Sequence, residues 1–576
     1  MGTCQAILCN SPRKLVTCGS RTGFLTGIPK TFLVESENRT EIDLDQQDSE
    51  LALAQTPRMD SPWWRGASIY EVYVRSLADS DGDGQGDLPG LTARLDYFAE
   101  LGVDALWLSP VSPSPNFDSG YDVSDYRGIE PAFGTAEDFR ALVRAAHDRG
   151  LRIILDQVYS HSSHLHPWFI ESASSRSNPK ADWYVWADAA ADGGPPNNWL
   201  GRFGGFAWEW SAARRQYYLH NFLIEQPDLN LHNPEVQAEV LDIMRFWFDL
   251  GVDGLRLDVA NFYMHDPELR SNPPTGRNDV PANPYYLQAH VYDRSRPENL
   301  PFLARMRATA DRAGDRMLLA EISCDDQITC MAEYTQDGRL HSAYSFELLG
   351  PTLDGAHIAR SVLAAGAGDA WPSWAFSNHD VVRVASRWGA AGNLDRIKML
   401  QALLLCLRGT VILYQGEELG LPHSDIPRHR LQDPEALRFW PNHRGRDGAR
   451  TPFPWKTEGV SLGFSTVDGW LPAEAGHAAL SVQAQTDDPT SALAHCRAML
   501  ALRRAEPALR FGSFDVVDAE RETLIFRRRV GHSSLICAFN LSDRPLSFAA
   551  PGKALAGAVG KGAISANGYA IIREAP

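Results

Sequence analysis

Nowhere in the 576-residue chain is there an uninterrupted apolar run of about 18 residues, the length a transmembrane helix needs, so a membrane-spanning role is not expected. The first thirty residues lack a compact apolar segment followed by a small-residue cleavage site, which makes a secretory leader unlike this N-terminus and a cytoplasmic location the expectation. Cysteine is sparse: eight residues, at 4, 9, 18, 324, 330, 406, 496 and 537, with neither the paired spacing of a disulfide framework nor a zinc pattern. No run of Lys or Arg offsets the formal net charge of -17, and nucleic-acid binding is excluded because phosphate neutralisation needs a concentrated positive surface. A small, neutral partner fits this balance better.

What is present is length and apolar content, 44% hydrophobic, enough for a sizeable core. From residue 66 onward, short β-type runs alternate with amphipathic helical stretches, the pattern of βα units on a parallel sheet. Strands are predicted at 67–74, 104–111, 152–159, 253–260, 316–323, 342–349, 373–380 and 410–417, with helices at 88–102, 135–150, 233–251, 393–409 and 490–510. Eight such units imply a closed (β/α)8 barrel of the α/β class, over 62–160 and 229–510. The long Trp-, Gly- and Pro-rich gap after the third strand predicts an inserted subdomain at 161–228 that overhangs the barrel mouth. Alternating segments ETLIFRRRV, SSLICAFNL and YAIIRE predict a C-terminal antiparallel β-domain over 511–576, and the polar, aperiodic residues 1–61 read as a disordered N-terminal extension.

In such a barrel the chemistry collects at the C-terminal ends of the strands. Polar residues close several of the predicted runs: Tyr121 and Asp122 after the second, His161 after the third, Arg256 and Asp258 on the fourth, Glu321 on the fifth, and Asn378, His379 and Asp380 on the seventh. A capping or merely satisfied carboxylate explains any one of these, but carboxylates, two histidines and an arginine gathered on one rim point to a site. Glycoside cleavage needs an acid for the leaving oxygen and a carboxylate for the oxocarbenium-like centre, and adjacent strands four and five can bring such groups about 5–5.5 Å apart. Arg256, two residues before Asp258, shares its strand face and can hold it ionised.

The segments GLRLDVA, LLAEI and FSNHD resemble the strand-four, strand-five and strand-seven signatures of the α-amylase family of glycoside hydrolases, family 13. GYDVSDY, DQVYSHSS, QPDLN, YQGEELG and GRDGARTPFPW are similar to the oligo-1,6-glucosidase and α-glucosidase branch, so the resemblance covers about residues 62–576. It implies a retaining α-glucosidase with Asp258 as nucleophile, Glu321 as acid/base and Asp380 as the carboxylate that grips sugar hydroxyls. It further implies a glucose pocket made by Asp122, His161, Arg256, His379 and Arg450, with Tyr121, Phe203 and Phe222 as aromatic walls.

The run Asp79-Ser80-Asp81-Gly82-Asp83-Gly84-Gln85-Gly86-Asp87 places oxygen donors at alternate positions, as a calcium loop does, although Gly90 stands where an EF-hand has its bidentate Glu. Similar loops in the α-glucosidase branch hold Ca2+ or Mg2+ structurally, so Asp79, Asp81, Asp83, Gln85 and Asp87 are the expected metal ligands, with no cofactor for catalysis. The expected activity is removal of terminal glucose from short α-glucosides, with transfer to acceptors other than water; oligo-1,6-glucosidase, or a sucrose-active isomerase or transferase, is the alternative. Val259 directly after the nucleophile accompanies α-1,6 activity in the family, whereas NFYMHDPELRSNPP and LQDPEALRFWPNHRGRDGARTP resemble α-1,4-active, glucose-transferring enzymes. A catalytically dead barrel acting as a binding subunit would have lost a carboxylate, and none is missing.

Overall fold

The computed structural model describes residues 61–336, 338–366 and 370–575; the segment expected to be a disordered extension lies, but for residue 61, outside them. Among the described residues, eight parallel strands form one sheet: β1 (Ser68–Val72), β2 (Ala105–Leu108), β3 (Arg152–Gln157), β4 (Gly254–Leu257), β5 (Met317–Ile322), β6 (Ser342–Ser345), β7 (Ser373–Ala375) and β8 (Thr410–Tyr414). They pair in the order β7-β8-β1-β2-β3-β4-β5-β6, the (β/α)8 barrel expected from the alternation. β6 and β7 share no backbone ladder; there the Ser342 and Ser373 hydroxyls meet at 2.7 Å and close the seam.

The strands are buried on both faces, and side-chain alternation sorts them into two layers. Ile69, Ala105, Trp107, Ile154, Leu319, Tyr344 and Ile412 point inward and pack on one another. Tyr70, Leu106, Leu155, Leu257, Leu318 and Leu413 point outward, under the helices. One step further along the inward set the residues turn polar: Glu71, Asp156, Arg256 and Glu321 share parity with Ile69, Ile154 and Leu319. A barrel interior cannot be apolar throughout and also carry a site, so the polar layer sits at the C-terminal ends where solvent can reach it.

Local signals set the surrounding helices. Asn233 caps the helix Pro234–Asp249 by accepting the Glu235 N–H, Pro234 occupies its first turn, and Val236, Val240, Ile243, Met244 and Trp247 make one buried face. Gly102, at φ 93°, ends the helix Leu95–Leu101 in the left-handed conformation that other residues adopt only under strain.

After β3 the chain leaves the barrel and returns, and a bridge between His161 and Asp228 ties the two ends of the excursion together. Inside it, strands Trp186–Ala187, Trp208–Ser211 and Gln216–Leu219 form a small antiparallel sheet over Val185, Trp199, Trp208 and Leu219. The C-terminal module is an antiparallel sheet of five strands, Asp515–Glu520, Thr523–Val530, Ser533–Asn540, Tyr569–Arg573 and Lys553–Gly557, with a separate two-stranded pair. No helix among the described residues is long and apolar enough to cross a membrane.

Candidate active site

Arg256 is the centre of the polar layer and is fully buried. Its Nη1 donates to Asp258 Oδ1 at 2.7 Å and to both oxygens of Asp156 at 2.8 and 3.0 Å, while Nη2 lies 2.7 Å from Glu321 Oε2 and 3.0 Å from the Tyr344 hydroxyl. One guanidinium fork therefore holds the carboxylates of β3, β4 and β5, a task a lysine ammonium cannot perform with fixed geometry. Burial pushes Asp258 well above the usual carboxylate range despite the pull of Arg256, and it raises Glu321 in the same way. Around a single cation the carboxylates cannot all ionise without cost, which favours a proton within the Asp258–Glu321 pair.

Just after Asp258 the backbone is strained. Val259 sits at φ 35°, ψ 52°, a left-handed conformation unusual for a β-branched residue and worth about 1–3 kcal/mol. The twist aims its N–H at Glu321 Oε2, 3.1 Å away, so the residue that follows one carboxylate helps to place the other.

Asp380, the third carboxylate, is held differently. Burial alone would raise its pKa, but the positive charges of Arg446 and Arg450, with Arg256 beyond them, outweigh that and keep it below the ordinary range. Arg450 Nη2 donates to Oδ1 at 2.8 Å, Arg446 Nη1 to the same atom at 3.3 Å, and His379 Nε2 lies 3.3 Å from Oδ2. Arg446 also bonds Asp118 at 2.7 Å and Asp433 at 2.8 Å, so the loops after β2 and β8 meet as one wall. His379 stacks on Tyr121, whose hydroxyl is 2.7 Å from Nε2 and 3.0 Å from Asp156 Oδ2. Burial lowers His379 to about 3 and His161 to about 4, leaving both imidazoles neutral at ordinary pH.

These groups open into a cavity of about 810 Å3, within the range of roughly 300–1,000 Å3 typical of small-molecule sites. Asp258, Glu321, Asp380, Tyr121, His161, Phe203 and Phe222 all line it, which brings seven of the eleven sequence-predicted site residues to one surface. Arg256, His379 and Arg450 stand behind that surface and support it. Asp122 does neither: it is turned away, its oxygens accepting from the Ser114 hydroxyl and the N–H groups of Phe117 and Asp118. The pocket carboxylate on that loop is Asp118, four residues earlier, because Asp122 is consumed in shaping the turn that presents it. Asp118 and Arg446 escaped the sequence reading, although each lies inside a motif already singled out or beside it, FDSGYD and GRDGAR. Asp156 and Glu71 could have been found by parity with their inward neighbours Ile154 and Ile69.

The acidic loop after β1 gathers Asp79, Asp81 and Asp87, whose carboxylate oxygens lie within 4.8 Å of one another. Asp83 is outside that group, its carboxylate accepting the Gln85 N–H at 2.7 Å. The loop is fastened to the long segment after β8: Ser465 Oγ donates to Asp79 Oδ2 at 2.5 Å, and the Trp470 N–H to the Gly84 carbonyl at 2.9 Å.

Residues 71–512 match the family described as alpha amylase, catalytic domain. A probable alpha-glucosidase from Rhizobium meliloti is 49% identical over 519 residues, covering 88% of this chain and 94% of the relative. An oligo-1,6-glucosidase from Parageobacillus thermoglucosidasius is 35% identical, over 86% of this chain and 93% of its own. Among solved structures, an alpha-glucosyl transfer enzyme, XgtA, superposes with a TM-score of 0.86 at 48% identity, covering 89% of this chain and 100% of that one.

Replacing Arg256 by Met should leave Asp156, Asp258 and Glu321 buried without their cation and cost about 3–5 kcal/mol at neutral pH. With the cation gone, the folded-state pKa of each carboxylate rises further above its unfolded value of about 4, so stability is lost as pH rises through the folded values. Denaturant unfolding of the variant and the wild type across pH should show a deficit that is smallest near pH 4 and grows toward pH 7.

Proposed function

Because the chain belongs to the alpha-amylase family of glycoside hydrolases, we propose that it is an exo-acting, retaining α-glucosidase that releases terminal glucose from short α-glucosides. The observation that carries this is the single guanidinium gripping Asp258 and Glu321 at 2.7 Å each. Two carboxylates on one fork suit the separation of about 5–5.5 Å used by retaining enzymes, whereas inverting enzymes need roughly 6.5–9.5 Å to admit a water. In this reading Asp258, adjacent to Arg256 and ionised in the working form, attacks the anomeric carbon. Glu321 keeps the shared proton and gives it to the leaving oxygen; then, as carboxylate, it takes a proton from the incoming water that frees the sugar.

Asp380, held anionic by Arg446 and Arg450, fits the task of gripping sugar hydroxyls as charge develops at the ring. Asp118, tied to Arg446, takes the place given to Asp122 in the sequence reading. The wall joining the β2 and β8 loops favours a pocket that accepts one chain end over a groove open at both ends. Arg202 strengthens the rim beside it, pairing with Glu435 at 2.7 Å while Asn283 Nδ2 donates to its carbonyl, so the inserted subdomain, the β4 loop and the β8 loop are clamped together. The 48–49% likeness to an alpha-glucosidase and a glucosyl-transfer enzyme, against 35% to an oligo-1,6-glucosidase, supports maltose-type substrates with transfer to acceptors, over the isomaltose preference that Val259 alone suggested.

Asp79, Asp81 and Asp87 offer the hard oxygen set that Ca2+ or Mg2+ prefers, and Asp83 and the Gln85 carbonyl are close along the loop. Such an ion would brace the loop against the segment after β8.

Initial rates on maltose, isomaltose and sucrose, with products followed in the presence of an alcohol acceptor, test the reading. Maltose should be the best of the three and glucosyl transfer should be measurable. Asp258→Asn and Glu321→Gln should each lower kcat by several orders of magnitude in folded protein, because each removes a chemical role with little change of volume. Activity within about tenfold of wild type would contradict the assignment. For the metal, exhaustive chelation should lower the melting temperature, by an amount equivalent to about 2.7 kcal/mol at a hundredfold excess over the dissociation constant. Turnover of the protein that stays folded should be unchanged, and an unaltered melting temperature would show Asp79–Asp87 to be an acidic loop only.

A further inference from the structure

We propose that Glu71, on the inward face of β1, is a positioning residue: as a neutral carboxylic acid it donates a hydrogen bond to His379 Nδ1, which fixes the imidazole in the tautomer whose Nε2–H faces Tyr121 and Asp380. The inference rests on the reading of Asp380 as the sugar-gripping carboxylate. Glu71 Oε1 lies 2.5 Å from Nδ1, and both side chains are 1% exposed, so no water competes for the contact.

Hydrogen counting excludes a neutral imidazole protonated at Nδ1, and an imidazolium is disfavoured because it would leave Glu71 a buried carboxylate with one oxygen unpaired. If the proton were on Nδ1 and Glu71 were ionised, Nε2 would present a lone pair to Asp380 Oδ2 at 3.3 Å, acceptor against acceptor. Tyr121 would then have one hydroxyl hydrogen for two acceptors, His379 Nε2 at 2.7 Å and Asp156 Oδ2 at 3.0 Å. With the proton on Glu71 each of those contacts is matched: Glu71 O–H donates to Nδ1, Nε2–H is shared between the Tyr121 oxygen and Asp380, and the Tyr121 hydroxyl is free to donate to Asp156. Among the described residues Glu71 Oε2 has no partner, a modest cost for the carbonyl oxygen of a neutral acid and a large one for a buried carboxylate. The surroundings agree. Burial pushes Glu71 well above the usual carboxylate range against the pull of Arg256, with Asp380 and Asp156 adding to the rise, and burial lowers His379 to about 3.

The chain of contacts runs from Glu71 through His379 to Asp380 and Tyr121, so the effect of Glu71 should reach the sugar although Glu71 does not line the cavity. Glutamine can stand in, because its amide N–H donates to Nδ1; methionine cannot. Maltose kinetics of wild type, Glu71→Gln and Glu71→Met should be measured together with 15N spectra of histidine-labelled enzyme, the His379 signals being assigned by their loss in His379→Gln. Glu71→Gln should stay close to wild type, and both should show His379 protonated at Nε2. Glu71→Met should lose roughly 10- to 100-fold in kcat/KM, the size of one broken buried hydrogen bond, mostly in kcat, with a mixture of tautomers. An Nδ1-protonated wild type, a Gln variant as impaired as the Met variant, or a Met variant with full activity would overturn the proposal. The wild-type and Gln spectra decide it even if the Met variant fails to fold. They also separate this proposal from the proposed activity, since an enzyme inactive on every α-glucoside would still report its tautomer.

Discussion

The buried guanidinium of Arg256 is the constraint on which the active end of the barrel depends. Three strands end in acidic residues that would repel one another and resist burial, and one cation with a rigid donor fork makes their coexistence possible. The arrangement is poor as a source of stability, since a buried ion network seldom outperforms an apolar core of the same volume. Its value lies in placement: two carboxylates fixed by the same donor group keep their mutual distance when the rest of the pocket adjusts to a ligand.

Around that centre, long loops do what short ones could not. The excursions after β2, β3, β4 and β8 each contribute walls, and each is tied to another by a polar side-chain contact rather than by strand pairing: Arg202 with Glu435, Asn283 with the Arg202 carbonyl, Arg446 with Asp118. The strained Val259 belongs to the same logic. Its left-handed backbone is disfavoured locally and persists because the tightly packed strand end on one side and the Glu321 carboxylate on the other leave it one conformation.

Much of this was legible in the chain. Eight β-type runs alternating with helical stretches were enough for the barrel, because strands buried on both faces must be apolar along their whole length and their polar ends then stand out. Asp258, Glu321 and Asp380 could be picked from those ends without any structure. Asp122 shows where that reasoning stops: it sits beside Tyr121 in a motif, but whether Asp118 or Asp122 faces the cavity is settled by turn geometry, and the Ser114, Phe117 and Asp118 hydrogen bonds that capture Asp122 are not coded by spacing. Arg446 was invisible for a related reason, since two of its partners, Asp380 and Asp118, come from loops more than sixty residues away in sequence. Glu71 was hidden in an apolar strand, where a single acidic residue reads as an interruption until its histidine partner on β7's far end is in place.

Catalysis in this site turns on Asp258 attacking the sugar while Glu321 serves as the acid, and trapping the intermediate tests this most directly. Glu321→Gln enzyme incubated with an α-glucosyl fluoride, whose leaving group needs little protonation, should accumulate a hexosyl adduct on the peptide carrying Asp258 by mass spectrometry. Wild-type enzyme should release α-glucose first in proton NMR of fresh reactions. An adduct on another residue, or first-formed β-glucose with no adduct at all, would contradict it.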